Sequence, residues 1–352
     1  MNQSTINIQE QGGVHKNRVR WIDALRGFTI FLVVFGHVLY FSFDTICETV
    51  TMSFVVTFHV PMFFFISAFL AYKGLEVWTN KLVLQSIRSK IVQLIIPTFF
   101  FFSLYKLCHA ESPLDFFGMG PGGYWFTVVL FEFFIAYYII TLLAHHIKQT
   151  HVFDLFLIGL ALLLQAISIV AYRDDNVWRM FQLYNFNFYF LFFALGLLCR
   201  RHYDKFSRLI GNTHVCAVVI LLFIAGFYVD YNHLLKSPHL SYANYLMTKV
   251  LAVLMIFAFF QSKARYFDSN TITSSTLSFV GRRTLDIYLV HWFFIPQLSQ
   301  FKELIQPSSM VLFQIIIPAL IAAGIIALCL LCSELIRTSN VLAHYILGVK
   351  RQ

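Results

Sequence analysis

Charged residues are scarce in this sequence: they make up 12% of its 352 residues, against 59% hydrophobic residues. A soluble domain has about 25% charged residues, so the composition argues against an ordinary soluble fold and favours a membrane protein. The net charge of +9 would suit nucleic-acid binding. We expect no nucleic-acid partner, because Lys and Arg form short clusters between apolar runs, as in the cytoplasmic loops of membrane proteins.

Cysteine is also sparse, and its spacing predicts no metal site. Six cysteines are scattered along the chain. Cys329 and Cys332 share a helix face, but no His or further Cys stands nearby in the sequence to complete a zinc site. We interpret the cysteines as small apolar packing residues.

The first 17 residues contain almost no large apolar side chains and have a Gly pair. Such a segment cannot bury a core, which predicts a disordered cytoplasmic tail over 1–17 and a transmembrane domain over 18–352. The sequence lacks the charged, apolar and small-residue pattern of a removable signal peptide. The first span is therefore expected to act as its own insertion signal.

Long apolar runs dominate the rest of the chain and predict an all-α, polytopic transmembrane bundle in a lipid bilayer. A transmembrane helix needs about 20 mostly apolar residues. Ten windows meet this requirement: 22–43, 52–72, 91–109, 123–144, 152–172, 182–199, 210–229, 242–261, 276–299 and 309–336. Most Lys and Arg then fall in alternate loops, which places both termini in the cytoplasm by the positive-inside rule.

The first span, "RWIDALRGFTIFLVVFGHVLYF", carries three ionisable residues, Asp23, Arg26 and His37. A helix advances about 100° and about 1.5 Å per residue, so Arg26 and His37 share a face about 16 Å apart along the axis. Asp23 precedes Arg26 by one turn and can pair with it. Ionisable groups in hydrocarbon are costly and face protein or water, which predicts a polar groove along this stripe.

Two interpretations of the stripe are open. In the functional one, His37 is a general base that takes a proton from a hydroxyl, and Arg26 is an anchor for phosphate. In the structural one, Arg26 reaches the membrane surface and His37 is a hydrogen-bonded core residue. Three ionisable groups on one face favour the functional interpretation.

Four sequence motifs resemble those of the integral-membrane acyltransferases of acyltransferase family three. The first span opens with "IDALRG", ten residues separate the Arg of that string from His37, and the second span reads "FHVPMFFFISAFL". "YWFTVVLFEFF" at 124–134 is similar to the family's aromatic Trp-Phe segment, and "LDIYLVH" at 285–291 to its late Tyr-Leu-apolar-His motif. The resemblance covers nearly the whole chain, and the motifs occur in the expected order.

The resemblance implies an acyltransferase of a bacterial inner membrane that uses acyl-CoA, with acetyl-CoA as the default donor. Family members include O-acetylases of polysaccharides and lipopolysaccharides, so the implied acceptor is a hydroxyl of a cell-envelope glycan or glycolipid. His37 would deprotonate this hydroxyl. Asp23 would hold Arg26, whose guanidinium would bind phosphate or the pantetheine arm of the donor.

Further cations are predicted to hold the nucleotide of the donor at the cytoplasmic face. They are Arg88, Lys90, Arg282 and Arg283. Close to Lys90 the sequence departs from the family pattern. Members often have two basic residues spaced three apart before the Pro of the third span, and here Gln93 stands in the second position.

Five residues in the family-like motifs are predicted to support the substrates or the catalytic group: His59, Trp125, Glu132, Tyr288 and His291. Three of them also have a structural interpretation. His59 precedes a Pro and can bind a backbone carbonyl that the Pro frees, Glu132 can pair with Lys249, and His291 can be a core histidine. The spacing of Arg282, Arg283 and Asp286 predicts a salt bridge within the ninth span.

A transporter or flippase for an anionic or glycolipid substrate is the alternative function, because intramembrane charges suit it equally well. That class predicts symmetric halves and paired broken helices, and the sequence shows neither clearly. The sequence leaves a homo-oligomer open.

Overall fold

A computed structural model describes residues 19–44, 49–74, 78–147, 150–170, 175–305 and 310–349. The tail predicted over 1–17 lies outside these residues. Within them the secondary structure is helical, with no strand. The predicted all-α class is therefore confirmed.

The fold combines long membrane-crossing helices with short connecting ones. The first nine are α1 (Arg20–His37), α2 (Val50–Val56), α3 (His59–Ala71), α4 (Asn80–Lys90), α5 (Ile96–Cys108), α6 (Asp115–Gly118), α7 (Trp125–Ile147), α8 (Thr150–Val170) and α9 (Asn176–Met180). The others are α10 (Leu183–Arg201), α11 (Tyr203–Ile210), α12 (Thr213–Tyr231), α13 (Pro238–Ser262), α14 (Ala264–Asp268), α15 (Ile272–Arg282), α16 (Thr284–Val290), α17 (Val311–Arg337) and α18 (Asn340–Ile346). Two π-helical stretches, Val38–Ser42 and Ile91–Ile95, and three 3₁₀ turns, Gly122–Tyr124, His291–Phe294 and Ser299–Ile305, complete the set.

Nine continuous helical stretches in the described ranges are long and apolar enough to cross a membrane. They are Arg20–Ser42, Val50–Ala71, Asn80–Cys108, Gly122–His145, His151–Val170, Leu183–Arg201, Thr213–Tyr231, Pro238–Ser262 and Val311–Arg337. Each overlaps one of the ten predicted windows, so the polytopic bundle is confirmed.

The remaining predicted window, 276–299, which is the ninth along the chain, is not one continuous helix. α15 ends at Arg282, and Arg283 has φ −111° and ψ 16°, outside helical geometry. α16 then runs to Val290 and continues as a 3₁₀ turn. Hydrophobic periodicity is insensitive to one residue with non-helical geometry, and for this reason the sequence predicts one helix here.

This broken segment nevertheless extends along the whole of α1. At one end the Arg20 guanidinium donates to Asn270 Oδ1 at 2.7 Å, and at the other His37 contacts His291 at 2.8 Å. The two therefore run in the same direction and cover the same depth. α1 is the first pass and the broken segment is the ninth. Successive passes alternate in direction, so two odd-numbered passes run in the same direction, and this arrangement agrees with ten passes.

Glycines let α1 and α15 approach with their backbones in contact. A Cβ atom on Gly281 would lie 1.8 Å from the Asp23 carbonyl oxygen, and one on Gly27 would lie 2.0 Å from the Leu277 carbonyl oxygen. Small residues allow such close packing where the hydrophobic effect does not drive helices together. The contact fixes α1 beside the start of α16.

The salt bridge predicted within the ninth span is wrong. Asp286 accepts from Arg337 at 2.6 Å and from Ser333 at 2.5 Å, both on α17. Arg283 pairs with Glu334 of α17 at 2.6 Å. The break at Arg283 removes the regular spacing on which the prediction depended, and the charges link α15 and α16 to α17 instead.

The same contacts place the start of α1 and the end of α17 at one end of the bundle. Gly281 packs on Asp23 near the start of α1, while Arg283, two residues later, binds Glu334 near the end of α17. At the other end of α17, Gln314 accepts from Thr51 at 3.4 Å. Both termini of the transmembrane domain are therefore on the same side, as an even number of passes requires.

The second span is interrupted between α2 and α3, and two side chains donate to backbone carbonyls there. His59 Nδ1 donates to the Val55 carbonyl at 2.8 Å. The Lys249 ammonium, on a side chain with 0% exposure, donates to the Val56 carbonyl at 2.6 Å. Pro61 lies two residues further on and removes the donor for the Thr57 carbonyl. His59 binds the Val55 carbonyl instead, so it stabilises the interruption but does not replace the bond that the Pro removes.

Candidate active site

One cavity of about 360 Å³, the main cavity, lies inside the bundle and is lined by two of the three residues of the stripe predicted on the first span. Arg26 and His37 of α1 line it, together with residues of α3, α7, α16 and the second π-helical stretch. Three other predicted site residues, Lys90, Trp125 and Tyr288, also line it. Residues far apart in the sequence therefore share one space.

His37 and His291 form a hydrogen-bonded pair at one part of this cavity. His37 Nδ1 lies 2.8 Å from His291 Nε2. His291 Nδ1 lies 2.7 Å from the Tyr288 carbonyl oxygen, so that nitrogen carries a hydrogen and donates it. In neutral His291, Nε2 is then the acceptor for His37 Nδ1–H. Neutral His37 consequently has its lone pair on Nε2, which is the nitrogen available to act as a base.

Aromatic rings hold the histidine pair in place. The Trp292 ring centroid lies 4.7 Å from that of His37 and 4.8 Å from that of His291. Phe41 contacts His37 edge-on at 5.6 Å. His37 is the last α-helical residue of α1 before the π-helical stretch Val38–Ser42. Such single-turn π segments are frequent at functional sites.

Tyr288 joins α16 to the start of α7 beside the histidine pair. Its hydroxyl donates to the Gly123 carbonyl at 2.9 Å and accepts from the Phe126 amide at 3.2 Å. Gly123 lies against Trp292, since an added Cβ would be 2.4 Å from that ring. Trp125 stacks on Tyr189 with ring centroids 5.5 Å apart and lines the cavity. These contacts give the wall near His37 a fixed, largely aromatic surface.

Arg26 is held at its place in the cavity by two partners. Its Nη2 donates to Thr284 Oγ1 at 2.7 Å, and its Nη1 lies 3.6 Å from Asp23 Oδ1. Asp23 and Thr284 are buried, whereas Arg26 is half-buried and lines the cavity. The predicted pairing of Asp23 with Arg26 is present, and about 16 Å of regular helix separates Arg26 from His37.

The predicted donor-binding cations fall into two groups. Lys90 lines the main cavity with its ammonium 4.0 Å from the Phe134 ring centroid, and Arg88 lines a second cavity of about 230 Å³. Gln93, in the π-helical stretch Ile91–Ile95, lines both cavities. Arg282 and Arg283 line neither of these cavities.

His59 and Glu132 are also outside the linings of the two cavities. His59 stabilises the interruption of the second span. Glu132 lies on α7 with Oε2 buried and without a hydrogen-bond partner in the part of the chain that the structure describes. Lys249, its predicted partner, donates to the Val56 carbonyl.

Sequence reasoning missed several residues that shape the site. Thr284 holds Arg26, Trp292 flanks both histidines, and Gly348 near the C-terminus lines both cavities. Trp292 directly follows the "LDIYLVH" motif, so its position next to His291 was the available clue. Neither Thr284 nor Gly348 stands in a sequence pattern that indicates a site. Only the packing of segments distant in the sequence brings them there.

These features define a polytopic membrane protein with a histidine pair and cationic side chains around one intramembrane cavity. A family model for an acyltransferase domain matches residues 19–334. The chain therefore belongs to acyltransferase family 3 and is a membrane acyltransferase. No curated protein and no solved structure matched the chain.

Proposed function

We propose that this protein transfers an acyl group, most simply acetyl, from acyl-CoA to a hydroxyl of a cell-envelope glycan or glycolipid. The observation that carries the proposal is the placement of Arg26 and His37 in one cavity, with the base nitrogen of His37 set by its bond to His291. The acyl-CoA donor, the glycan acceptor and the bacterial inner membrane come from the family resemblance.

In the proposed reaction, His37 Nε2 takes the proton of the acceptor hydroxyl as its oxygen attacks the thioester carbonyl carbon. The tetrahedral intermediate collapses with cleavage of the C–S bond. The departing sulfur receives the proton from the His37 imidazolium, and free CoA and an O-acyl ester result. Throughout, His37 Nδ1–H stays bonded to His291 Nε2, which stabilises the imidazolium and keeps the ring oriented.

The proposed donor path runs from the cation-lined part of the cavity toward the histidines. Arg26 offers a planar set of donors that suits a phosphate or the amides of the pantetheine arm. Lys90 adds a second positive charge in the same cavity, and Arg88 lies in the neighbouring one. About 16 Å between Arg26 and His37 is comparable with the length of an extended pantetheine arm.

The aromatic wall near His37 is the proposed contact for the acceptor. Trp125 and Tyr288 line the cavity there. A ring face suits the apolar side of a sugar, and the Tyr288 hydroxyl is already bonded to Gly123, so it positions the wall.

The test is an acetyl-transfer assay with purified protein in lipid nanodiscs, acetyl-CoA labelled in the acetyl group, and bacterial envelope membranes as acceptor. We expect release of free CoA that depends on added membranes, and label in the glycan or glycolipid fraction. The variant His37→Gln is the control, because Gln can hydrogen-bond but cannot take up the proton. Acetyl-CoA that stays intact with all acceptor membranes, while the protein moves a labelled glycolipid across proteoliposomes, would favour the transporter and overturn the proposal.

A further inference from the structure

The C-terminal segment 340–349 reaches the candidate active site although it lies beyond residues 19–334 that match the family. α18 begins after Ser339, whose hydroxyl accepts from the Leu342 amide at 3.4 Å. The helix packs against α5 and the second π-helical stretch. Gly348 then lines the main cavity, and His344, Gly348 and Val349 line the second one.

Gly348 holds the end of this segment against the third span. Its φ of +64° favours glycine, and an added Cβ would lie 2.6 Å from the Gln93 carbonyl oxygen. His344 Nδ1 donates to the Val349 carbonyl at 2.6 Å, and the Val349 amide donates to the Ala343 carbonyl at 3.0 Å. The end of the segment is thus fixed in a closed turn against Gln93.

Gln93 and Gly348 together form the wall that the two cavities share. On the far side of this wall, the second cavity of about 230 Å³ is lined by Arg88, Ser89 and His344. Arg88 makes no ion pair with any residue that the structure describes. Arg88 and Ser89 offer a guanidinium and a hydroxyl to this space, and both are donors that a phosphate takes. His344 has its Nδ1–H bonded to the Val349 carbonyl and, when neutral, keeps Nε2 as an acceptor, so it holds the turn beside these donors.

We propose that the C-terminal segment completes a phosphate subsite for the nucleotide of the donor. In this arrangement the phosphates of acyl-CoA occupy the second cavity between Arg88 and α18. The pantetheine arm crosses beside Gly348 and Gln93 into the main cavity and brings the thioester toward His37. This inference rests on the proposed use of acyl-CoA and adds the part of the chain that recognises its phosphorylated head.

Donors of different length test the subsite. The variant Arg88→Gln should lower kcat/KM about tenfold for acetyl-CoA, the loss typical of one charge-assisted hydrogen bond. The same variant should leave kcat/KM unchanged for S-acetylpantetheine, which has no phosphate. The control Lys205→Gln removes one positive charge from an exposed position on α11 and should leave kcat/KM unchanged for both donors. If Arg88→Gln lowers kcat/KM equally for both donors, the effect of Arg88 is structural and the proposal is overturned.

The contact at Gly348 is tested by competition with 3′-phosphoadenosine 5′-diphosphate, the nucleotide fragment of CoA. Gly348→Ala displaces the turn from Gln93 and should raise the inhibition constant of this fragment several-fold, as should Arg88→Gln. The control Leu342→Ala changes an exposed side chain of α18 and should leave it unchanged. If the fragment inhibits the wild type and all three variants equally, the C-terminal segment is not part of the subsite, although acyl-CoA remains the donor. If acetyl-CoA is not used at all, the proposed function itself fails.

Discussion

His291 accepts a hydrogen bond from His37 across 2.8 Å, although 254 residues separate the two in the chain. The rings lie edge to edge, with an angle of 16° between their planes and their centroids 5.0 Å apart, and His291 is fully buried while His37 lines the cavity. The buried ring therefore sets the protonation pattern of the accessible one. His37 is predicted to act on the substrate, and His291 to act through His37 as a positioning residue.

Replacing His37 tests the general base. His37→Ala should lower kcat by about 10²–10⁴-fold, the usual contribution of one positioned acid–base group, while the protein is still inserted in the membrane. The measurement is CoA release by purified variant protein, with its yield and melting temperature as checks on folding. His37→Gln should be equally inactive. Turnover near that of the wild type in either variant would rule out the role.

The pair also predicts a graded effect at His291. His291→Gln keeps an acceptor for His37 Nδ1–H, whereas His291→Phe removes it and leaves a similar ring volume. We expect kcat to fall in the order wild type, Gln variant, Phe variant, while the Michaelis constant for acyl-CoA stays the same. Steady-state kinetics with acetyl-CoA distinguish the two parameters. Equal losses in both variants would mean that His291 serves packing alone.

Arg26 is predicted to act on the donor. Arg26→Lys keeps the charge but loses the planar fork that bonds Thr284, so the apparent Michaelis constant for acyl-CoA should rise, most at high salt. Kinetics at varied acyl-CoA and at varied acceptor membranes separate the two substrates. If Arg26→Ala weakens use of the acceptor but not of acyl-CoA, Arg26 belongs to the acceptor site and the donor enters elsewhere.

Much of the fold follows from the sequence because membrane crossing imposes long apolar runs. Nine predicted windows correspond to continuous helices in the described ranges. The break at Arg283 was not predictable, since neither a Pro nor a Gly occupies that position and the segment is held by contacts with α1 and α17. In a continuous helix Arg283 and Asp286 would be spaced for a salt bridge. Because the helix is broken at Arg283, this salt bridge does not form.

The site was predictable where one helix carries its chemistry. Regular helix geometry is enough to align Asp23, Arg26 and His37, and the structure keeps that alignment. The contact of His37 with His291 depends on the packing of α1 beside α16, which helical periodicity does not encode. The sequence also grouped Arg282 with the donor cations because of charge alone, whereas its position on α15 is outside both cavities.

The topology is a further prediction. Reporter domains fused after Arg208 should be cytoplasmic, and those in the 230–241 loop should be external. The positive-inside rule places the basic segment around Arg208 in the cytoplasm. One span separates the two fusion points, so they should lie on opposite sides of the membrane. Accessibility of the reporters to an impermeant reagent in whole cells measures both. A cytoplasmic 230–241 loop together with a cytoplasmic Arg208 fusion would contradict the ten-pass arrangement.

The backbone contact between α1 and α15 predicts that Gly281 is essential for stability. Gly281→Ala introduces a Cβ atom 1.8 Å from the Asp23 carbonyl oxygen, so the helices must separate. Overpacking of this kind costs about 1–3 kcal/mol or more. Because the same contact sets the distances from Arg26 to Thr284 and from His37 to His291, activity should fall together with the melting temperature.

Matched glycines supply the control for this prediction. Gly159 on α8 and Gly324 on α17 are helical positions where an added Cβ meets nothing within 4 Å. Ala at either should leave the melting temperature unchanged or raise it, since Ala is favoured over Gly in a helix by up to about 1 kcal/mol. Thermal unfolding in detergent, followed by size-exclusion chromatography, compares the three variants, and loss of monodisperse Gly281→Ala protein counts as destabilisation. If Gly281→Ala has the same melting temperature as the wild type, α1 and α15 are not in backbone contact. The positions assigned to His37 and His291, which depend on this contact, would then lose their support.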